Sequence, residues 1–304
     1  MHMLEKKLSM KEIVDKKILK ILSLINNNNN YHTPSSKKHE NLKKDLKEII
    51  KKNHVKDDIY QILKKIKVRL PFYNMGGNIN SLNLFELDEL IIFSIYSKII
   101  IKNIKFADLG ANIGLHTIVA SKLGAKVTAY EPDLEHIKQL NKNLKINKIK
   151  ANVIRKAIFT KKTNIKFTKV VNNLTSSFIG NAKVPYGPIK ITKVKTEIFS
   201  DVLKKNDILK VDVEGIEDKL VKSIKKNDLI NKFLILEVGT RNNAKIIFSH
   251  LRKFNNIVLL SQKTQWSKVK KIDQMPESYK DGSLIIFEKN FLKKKKTSFF
   301  KNVD

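Results

Sequence analysis

The spacing of apolar residues along the chain changes near position 105. Before it, apolar positions recur at helical intervals. Ile13, Ile18, Ile21, Leu22 and Ile25 form one stripe opposite a lysine-rich face, which predicts an amphipathic helix over residues 1–25. The polar, low-complexity run NNNNNYHTPSS (26–36) predicts a linker. Lys37 to Lys67 reads as a strongly basic helix, stopped by Pro71. FYNMGGNINSLNL (72–84) reads as a loop, and Phe85–Ile100 as a helix with acids near its start, where the helix dipole favours them. After 105, apolar runs alternate with helical segments. Strands are expected at Phe106–Leu109, Lys126–Tyr130, Ala151–Ile154, Ile208–Val213, Phe233–Val238, Ile257–Leu260 and Leu284–Phe287. Helices are expected at Leu115–Leu123, Leu134–Asn143, Glu217–Ser223 and Ala244–Phe254. This alternation predicts an α/β fold with a mostly parallel sheet covered on both faces. The expected organisation is a helix over 1–25, a linker over 26–36, a basic helical lead-in over 37–100, the main domain over 101–290 and a basic, frayed tail over 291–304.

The 304 residues suffice for one large domain and a smaller appendage, and 41% hydrophobic content is enough for a packed core. With no cysteine, a disulfide scaffold, a thiolate zinc site and a cysteine nucleophile are excluded. The net charge of +32 suggests nucleic acid at first sight. However, the only arginines are Arg69, Arg155, Arg241 and Arg252, and arginine supplies the bidentate contacts of a dedicated reader. A solvated lysine surface fits better, with weak attraction to anionic surfaces and no specific nucleic-acid partner. The early apolar stretch Ile13–Ile25 is interrupted by Asp15, Lys16, Lys17 and Lys20. That is wrong for a signal peptide and too charged for a transmembrane segment, so a cytoplasmic location is expected.

Candidate chemistry concentrates after the first strand. In DLGANIG, glycines stand at 110 and 114 while position 112 is asparagine. A dinucleotide fingerprint requires G-x-G-x-x-G, whose second glycine lets backbone approach a pyrophosphate. Its absence argues against NAD and FAD. A tight strand-to-helix turn with backbone N–H groups suited to a carboxylate remains. S-adenosylmethionine has a carboxylate and no phosphate. Glu131 closes the second strand, where an acid accepts hydrogen bonds from both ribose hydroxyls, and Asp133 is placed to cap the following helix.

Together these blocks resemble the FkbM family of S-adenosylmethionine-dependent methyltransferases. The resemblance runs from about Phe72 to Glu288, through FELDEL, DLGANIGLHT, YEPD, LKVDVEGIE and LILEV in that order. NLTSSFIG, PYG, SQK..W and MPESYKDGS are similar to a subgroup of it. The resemblance implies a class I methyltransferase fold of Rossmann-like type: seven strands, the last antiparallel, in the order 3-2-1-4-5-7-6, here with an N-terminal helical extension. It also implies methyl transfer to a hydroxyl, often of a sugar or polyketide. Carried over, Asp108, Gly110, Asn112 and Gly114 line the methionine end of the cofactor, Glu131 takes the ribose, and Ala157 and Ile158 meet the adenine.

An alcohol is a poor nucleophile, so a base or a metal is expected beside it. Asp212 and Glu214 past the fourth strand are the candidates. Strand alternation puts both on one face if the strand reaches Glu214. They could act as base or hold a divalent cation with water; no clear ligand spacing accompanies them, so the base is preferred. His116 is an alternative base or a packing residue, and His136 and His250 read as surface or boundary positions on amphipathic helices. Glu237 could bind substrate or pair with Arg241. Asn173, Thr175, Ser176, Ser177 and Tyr186 suit a polyhydroxy, sugar-like acceptor. Trp266 reads as core, while Tyr279, Lys280 and Ser283 could close over the site.

The leading expectation is therefore an O-methyltransferase acting on a glycan or related hydroxylated metabolite. The alternatives are a nucleic-acid methyltransferase and a degenerate fold serving as a binding scaffold. Because residues 1–70 lie outside the resemblance, a chain starting near Val68 is expected to remain soluble and bind the cofactor.

Overall fold

A computed structural model of the protein describes residues 10–52, 59–69, 74–75, 78–79, 86–170, 178–179 and 187–291. The N-terminal part comprises α1 (Met10–Asn27), α2 (Lys37–Lys52), β1 (Ile59–Leu63), β2 (Ile66–Arg69), the two-residue strands β3 (Asn74–Met75) and β4 (Asn78–Ile79), and α3 (Leu87–Ile99). The alternation then begins with β5 (Lys105–Leu109), α4 (Leu115–Lys122), β6 (Lys126–Tyr130), α5 (Leu134–Ile146) and β7 (Asn152–Ile154). Next come β8 (Ala157–Phe159), β9 (Asn164–Val170), β10 (Phe178–Ile179), β11 (Ile189–Ile198) and α6 (Phe199–Lys205). The chain continues through β12 (Ile208–Val211), α7 (Glu217–Lys222), β13 (Phe233–Glu237) and α8 (Arg241–Leu251). It closes with β14 (Ile257–Ser261), β15 (Ser267–Lys268) and β16 (Ser283–Glu288).

The central sheet has the order β15-β14-β16-β13-β12-β5-β6-β7. Strands β7, β6, β5, β12 and β13 run parallel, and β16 is antiparallel to both β13 and β14. Numbered as seven strands this is 3-2-1-4-5-7-6, the expected order. Among the described residues the count is eight rather than seven, because the two-residue β15 adds an edge against β14. A second sheet, β10-β9-β11-β8, is inserted between the third and fourth strands of the parallel run.

Side-chain alternation divides the core into two. Phe106, Ile208, Ile235, Val258, Leu260, Ile285 and Phe287 enter one hydrophobic cluster, while Ala107, Leu109, Leu209, Val211, Leu234, Leu236, Leu284 and Ile286 enter the other. α6, α7 and α8 cover the second face. The first is covered by α3 and α4, with α1, α2 and the β1–β2 hairpin in the same cluster.

The reason for that extra layer lies in α3. Its run LDELIIFSIYSKI buries Leu87, every residue from Leu90 to Tyr96, and Ile99. A helix that is apolar all round must be covered on all sides. α1 does part of this by burying Val14, Ile18, Ile21, Leu22 and Ile25, the stripe seen in the sequence shifted by one residue at its start.

Two expectations are corrected here. The basic helix extends only to Lys52, and Ile59–Arg69 is a hairpin. In β2, Ile66 and Val68 are buried while Lys67 and Arg69 face solvent, a period of two that a helix cannot accommodate. The stretch read as a linker is fastened to the core. His32 is fully buried, its Nε2 meets the Ile25 carbonyl at 2.7 Å, and Trp266 Nε1 donates to its Nδ1 at 2.7 Å. Gln262, also fully buried, donates to the His32 carbonyl (3.0 Å) and to Asp88 Oδ1 (2.8 Å) and accepts from the Ser283 N–H (2.9 Å). Asn147 at the end of α5 pins the hairpin by exchanging two 2.9 Å bonds with the backbone of Arg69. Trp266 is a core residue, as expected.

Candidate active site

The parallel strands β5, β6 and β12 end at one edge of the sheet, and their C-terminal loops build an open cleft. Its wall contains Gly110, Asn112, Glu131, Ala157, Ile158, Asp212 and Glu214 from the sequence-predicted residues, together with Tyr130, Pro132, His136, Lys156, Phe167, Ile179 and Val213. Asp108, Gly114, His116 and Glu237 are not on this wall. Asn173, Thr175, Ser176, Ser177 and Tyr186 lie outside the described residues.

The glycine turn is dictated by steric limits. Gly110 has φ +74°, and a Cβ there would sit 1.8 Å from the Asp212 carbonyl oxygen. Any side chain would drive β5 and β12 apart at their ends. Gly114 (φ +91°) is the N-cap of α4, and a Cβ there would press on Leu140 of α5 at 3.0 Å.

Glu131 is nearly buried. Its Oε2 accepts from the Asn112 N–H at 2.8 Å, its Oε1 accepts from the Asp133 N–H at 2.9 Å, and His136 Nδ1 stands 3.4 Å from Oε1. The backbone thus fixes the carboxylate in the cleft wall. Each oxygen retains capacity for a second donor. Asp133 caps α5 by accepting from the Glu135 N–H (2.7 Å) and the His136 N–H (3.3 Å). Burial alone would raise its carboxyl, but His136 and Lys169 hold it below the usual range. His136 is buried against the cleft and is not the surface or boundary residue expected, because the Asp133 cap turns the first turn of α5 toward Glu131.

Beneath the turn lies a charged cluster. Asp108 is fully buried; its Oδ2 accepts from Thr117 Oγ1 at 2.6 Å and its Oδ1 is 3.7 Å from Lys210 Nζ. Burial raises the Asp108 carboxyl, with Lys210 and Thr117 opposing. Lys210 also meets Asp212 Oδ2 at 3.1 Å and donates to the Gly110 carbonyl at 2.9 Å. Burial would lower the Lys210 ammonium, but Asp212 and Asp108 raise it overall, so it is charged at neutral pH. Asp212 itself is about one third exposed.

The alternation argument for Asp212 and Glu214 fails, since β12 ends at Val211 and Glu214 adopts φ +59°. A loop, and not a continued strand, puts both on the cleft wall. Glu217 holds that loop: its carboxylate accepts from the Gly215 N–H at 3.0 and 3.1 Å and from Asn243 Nδ2 at 3.4 Å. His116 packs against Phe93 (ring centroids 5.1 Å), and its Nδ1 is 3.0 Å from the Tyr96 hydroxyl. Burial and the nearby Lys210 hold it well below its usual value, so it is neutral at ordinary pH. Arg241 pairs with Glu277 at 3.2 Å, and Glu237 adds to the negative field around Lys210. Among the described residues no group of three or more His, Asp or Glu side chains is arranged to hold a metal ion, and no helix is long and apolar enough to cross a membrane.

The family profile described as "Methyltransferase FkbM domain" matches residues 108–258, from the buried aspartate of β5 to β14. This chain contains an FkbM methyltransferase domain. It is an S-adenosylmethionine-dependent methyltransferase of FkbM type. No curated protein matches it significantly. Among solved structures, the S-adenosylmethionine-dependent methyltransferase from Agrobacterium tumefaciens is similar at 10% identity, over 75% of this chain and 68% of that one, with a TM-score of 0.42. The ribosomal protein L11 methylase from Lactobacillus delbrueckii subsp. bulgaricus is similar at 16% identity, over 66% and 78%, with a TM-score of 0.38. The precorrin-6y C5,15-methyltransferase from Geobacter metallireducens is similar at 13% identity, over 65% and 86%, with a TM-score of 0.36. At these scores the likenesses are no guide to the acceptor of the FkbM domain, and its fold rests on the strand order above.

Sequence reasoning missed Lys210, Glu217 and His136. A signal existed for Lys210, which interrupts an otherwise apolar four-residue strand, where a lysine needs charged partners.

Proposed function

We propose that this FkbM methyltransferase is an O-methyltransferase acting on a hydroxyl of a glycan or related hydroxylated metabolite. The reading is carried by the meeting of Glu131 and Asp212 on the wall of one cleft. The residues present fit S-adenosylmethionine. Glu131 has capacity left for the ribose hydroxyls, and Ala157, Ile158, Phe167 and Ile179 offer an apolar slot for adenine. The cofactor supplies an activated methyl group on a sulfonium.

The protein's part is to orient the acceptor and receive its proton. With the cofactor bound, the Asp212 carboxylate would take the hydroxyl proton as the acceptor is methylated. Asp212 is suited to this because it is partly exposed at the cleft while its Oδ2 is held by Lys210. His116 is neutral and occupied by Tyr96, away from the cleft wall, which favours Asp212 over it. Glu214 is on the same wall and serves acceptor binding in this reading.

The test is incubation of the protein with methyl-labelled S-adenosylmethionine and separated cell glycans, lipids and nucleic acids. Label entering the carbohydrate fraction as an alkali-stable ether supports the proposal. Label entering only nucleic acid would replace it with the nucleic-acid reading.

A further inference from the structure

The buried ammonium of Lys210 joins three features that belong to different parts of the site. Its Nζ donates to the Gly110 carbonyl at 2.9 Å, meets Asp212 Oδ2 at 3.1 Å and lies 3.7 Å from Asp108 Oδ1. Gly110 is the turn after β5, and Asp212 follows β12. Their backbones touch, with a Cβ on Gly110 only 1.8 Å from the Asp212 carbonyl. Lys210 spans the same junction from below through its side chain. We propose that Lys210 is a positioning residue that ties the cofactor turn to the Asp212 carboxylate and limits the negative charge left facing the sulfonium.

The charge balance shows why one ammonium serves two carboxylates. Within the triad, Lys210 offsets one of Asp108 and Asp212, so the three groups together leave a single negative charge, in addition to Glu131 and Glu214 on the same wall. A sulfonium ligand brings one positive charge and balances it. Methyl transfer removes that positive charge, and the proton from the acceptor hydroxyl neutralises Asp212. The triad together with the sulfonium is therefore balanced both before and after the reaction. Without Lys210 the triad would carry an excess negative charge throughout; with Lys210 but without Asp212 it would contribute none toward the sulfonium. The inference rests on the reading of Asp212 given above, but its test does not require turnover.

The discriminating quantity is the affinity for S-adenosylmethionine relative to S-adenosylhomocysteine, which differ in the charge on sulfur. Calorimetry on the full chain measures both. Simple structural damage weakens both ligands together and leaves the ratio unchanged. Lys210→Met should raise the preference for the sulfonium by about tenfold, a shift of one unbalanced charge at partly screened distance, while Lys210→Arg keeps the charge and should stay near the original ratio. Asp212→Asn, nearly isosteric and partly exposed, should lower the preference by a similar factor, which provides a reading even if Lys210→Met does not fold. An unchanged ratio in folded Lys210→Met, or in Asp212→Asn, would overturn the proposal. Failure of the base assignment would appear separately, as Asp212→Asn that keeps turnover on the labelled acceptor fraction.

Discussion

The cleft at the strand ends and the layer that covers α3 are built by opposite kinds of sequence information. In the cleft, neighbours in space are near in sequence or brought together by the pairing of adjacent parallel strands. Asn112 and Asp133 both reach Glu131, and Gly110 meets Asp212 across adjacent parallel strands. In the N-terminal layer the contacts join distant segments. His32 meets Trp266 and Gln262, Gln262 meets Asp88 and Ser283, and Arg69 meets Asn147. The first region uses motifs; the second uses buried polar groups whose partners are given only by the fold. A short polar run can therefore look like a tether and still be essential packing.

The largest expected effect breaks the comparison directly. A chain beginning at Val68 loses Val14, Ile18, Ile21, Leu22, Ile25, Leu42, Leu46, Ile62, Leu63 and Ile66, all buried. Their removal uncovers the outer faces of α3, whose residues from Leu90 to Tyr96 are all buried and need cover on every side. Such a chain should show no cooperative thermal transition by circular dichroism and no cofactor binding. A cooperative melt with binding intact would return the N-terminal layer to the status of an appendage.

A smaller effect sharpens the comparison through pH. Burial lowers His32 from 6.5 to about 4. Between these values the unfolded chain binds a proton that the folded chain does not, so stability rises with pH over this window and falls as pH drops through it. The full contribution is about 3 kcal/mol, present above pH 6.5 and lost by pH 4. Denaturant melts across this window should show the slope, and His32→Asn should remove it while leaving other acid-linked changes. An equal slope in the variant would mean that His32 is accessible and the node with Trp266 is loose.

The smallest effect lies in the cleft. Glu131→Ala should weaken S-adenosylhomocysteine binding by ~1–3 kcal/mol through lost charge-assisted hydrogen bonds, with secondary structure retained. Unchanged affinity in the folded variant would remove Glu131 from the ribose site.

The main sheet was legible because apolar runs and glycine turns are local signals. The strands of DLGANIG and YEPD fell where expected, that of LKVDVEG ended two residues early at Val211, and the strand order followed from the resemblance. Glu214 was legible by residue but not by geometry: its positive φ belongs to a loop that only Glu217 and Gly215 explain. His136 looked peripheral because its helix is amphipathic on average, while the Asp133 cap turns its first turn inward. The hairpin Ile59–Arg69 was hidden by lysines that satisfy either period. The role of the early helices was illegible because it depends on α3 being apolar all round, a fact about the layer above the sheet that no motif records.

The central claim is that this FkbM methyltransferase transfers a methyl group to a hydroxyl whose proton goes to Asp212. The most direct measurement is single-turnover transfer from labelled S-adenosylmethionine to the carbohydrate fraction by Asp212→Asn, with calorimetry of S-adenosylhomocysteine on the same preparation. A lost general base predicts a rate lower by ~10²–10⁴-fold while the variant still folds and binds the product. A rate within a fewfold of the original, with binding intact, would contradict the claim.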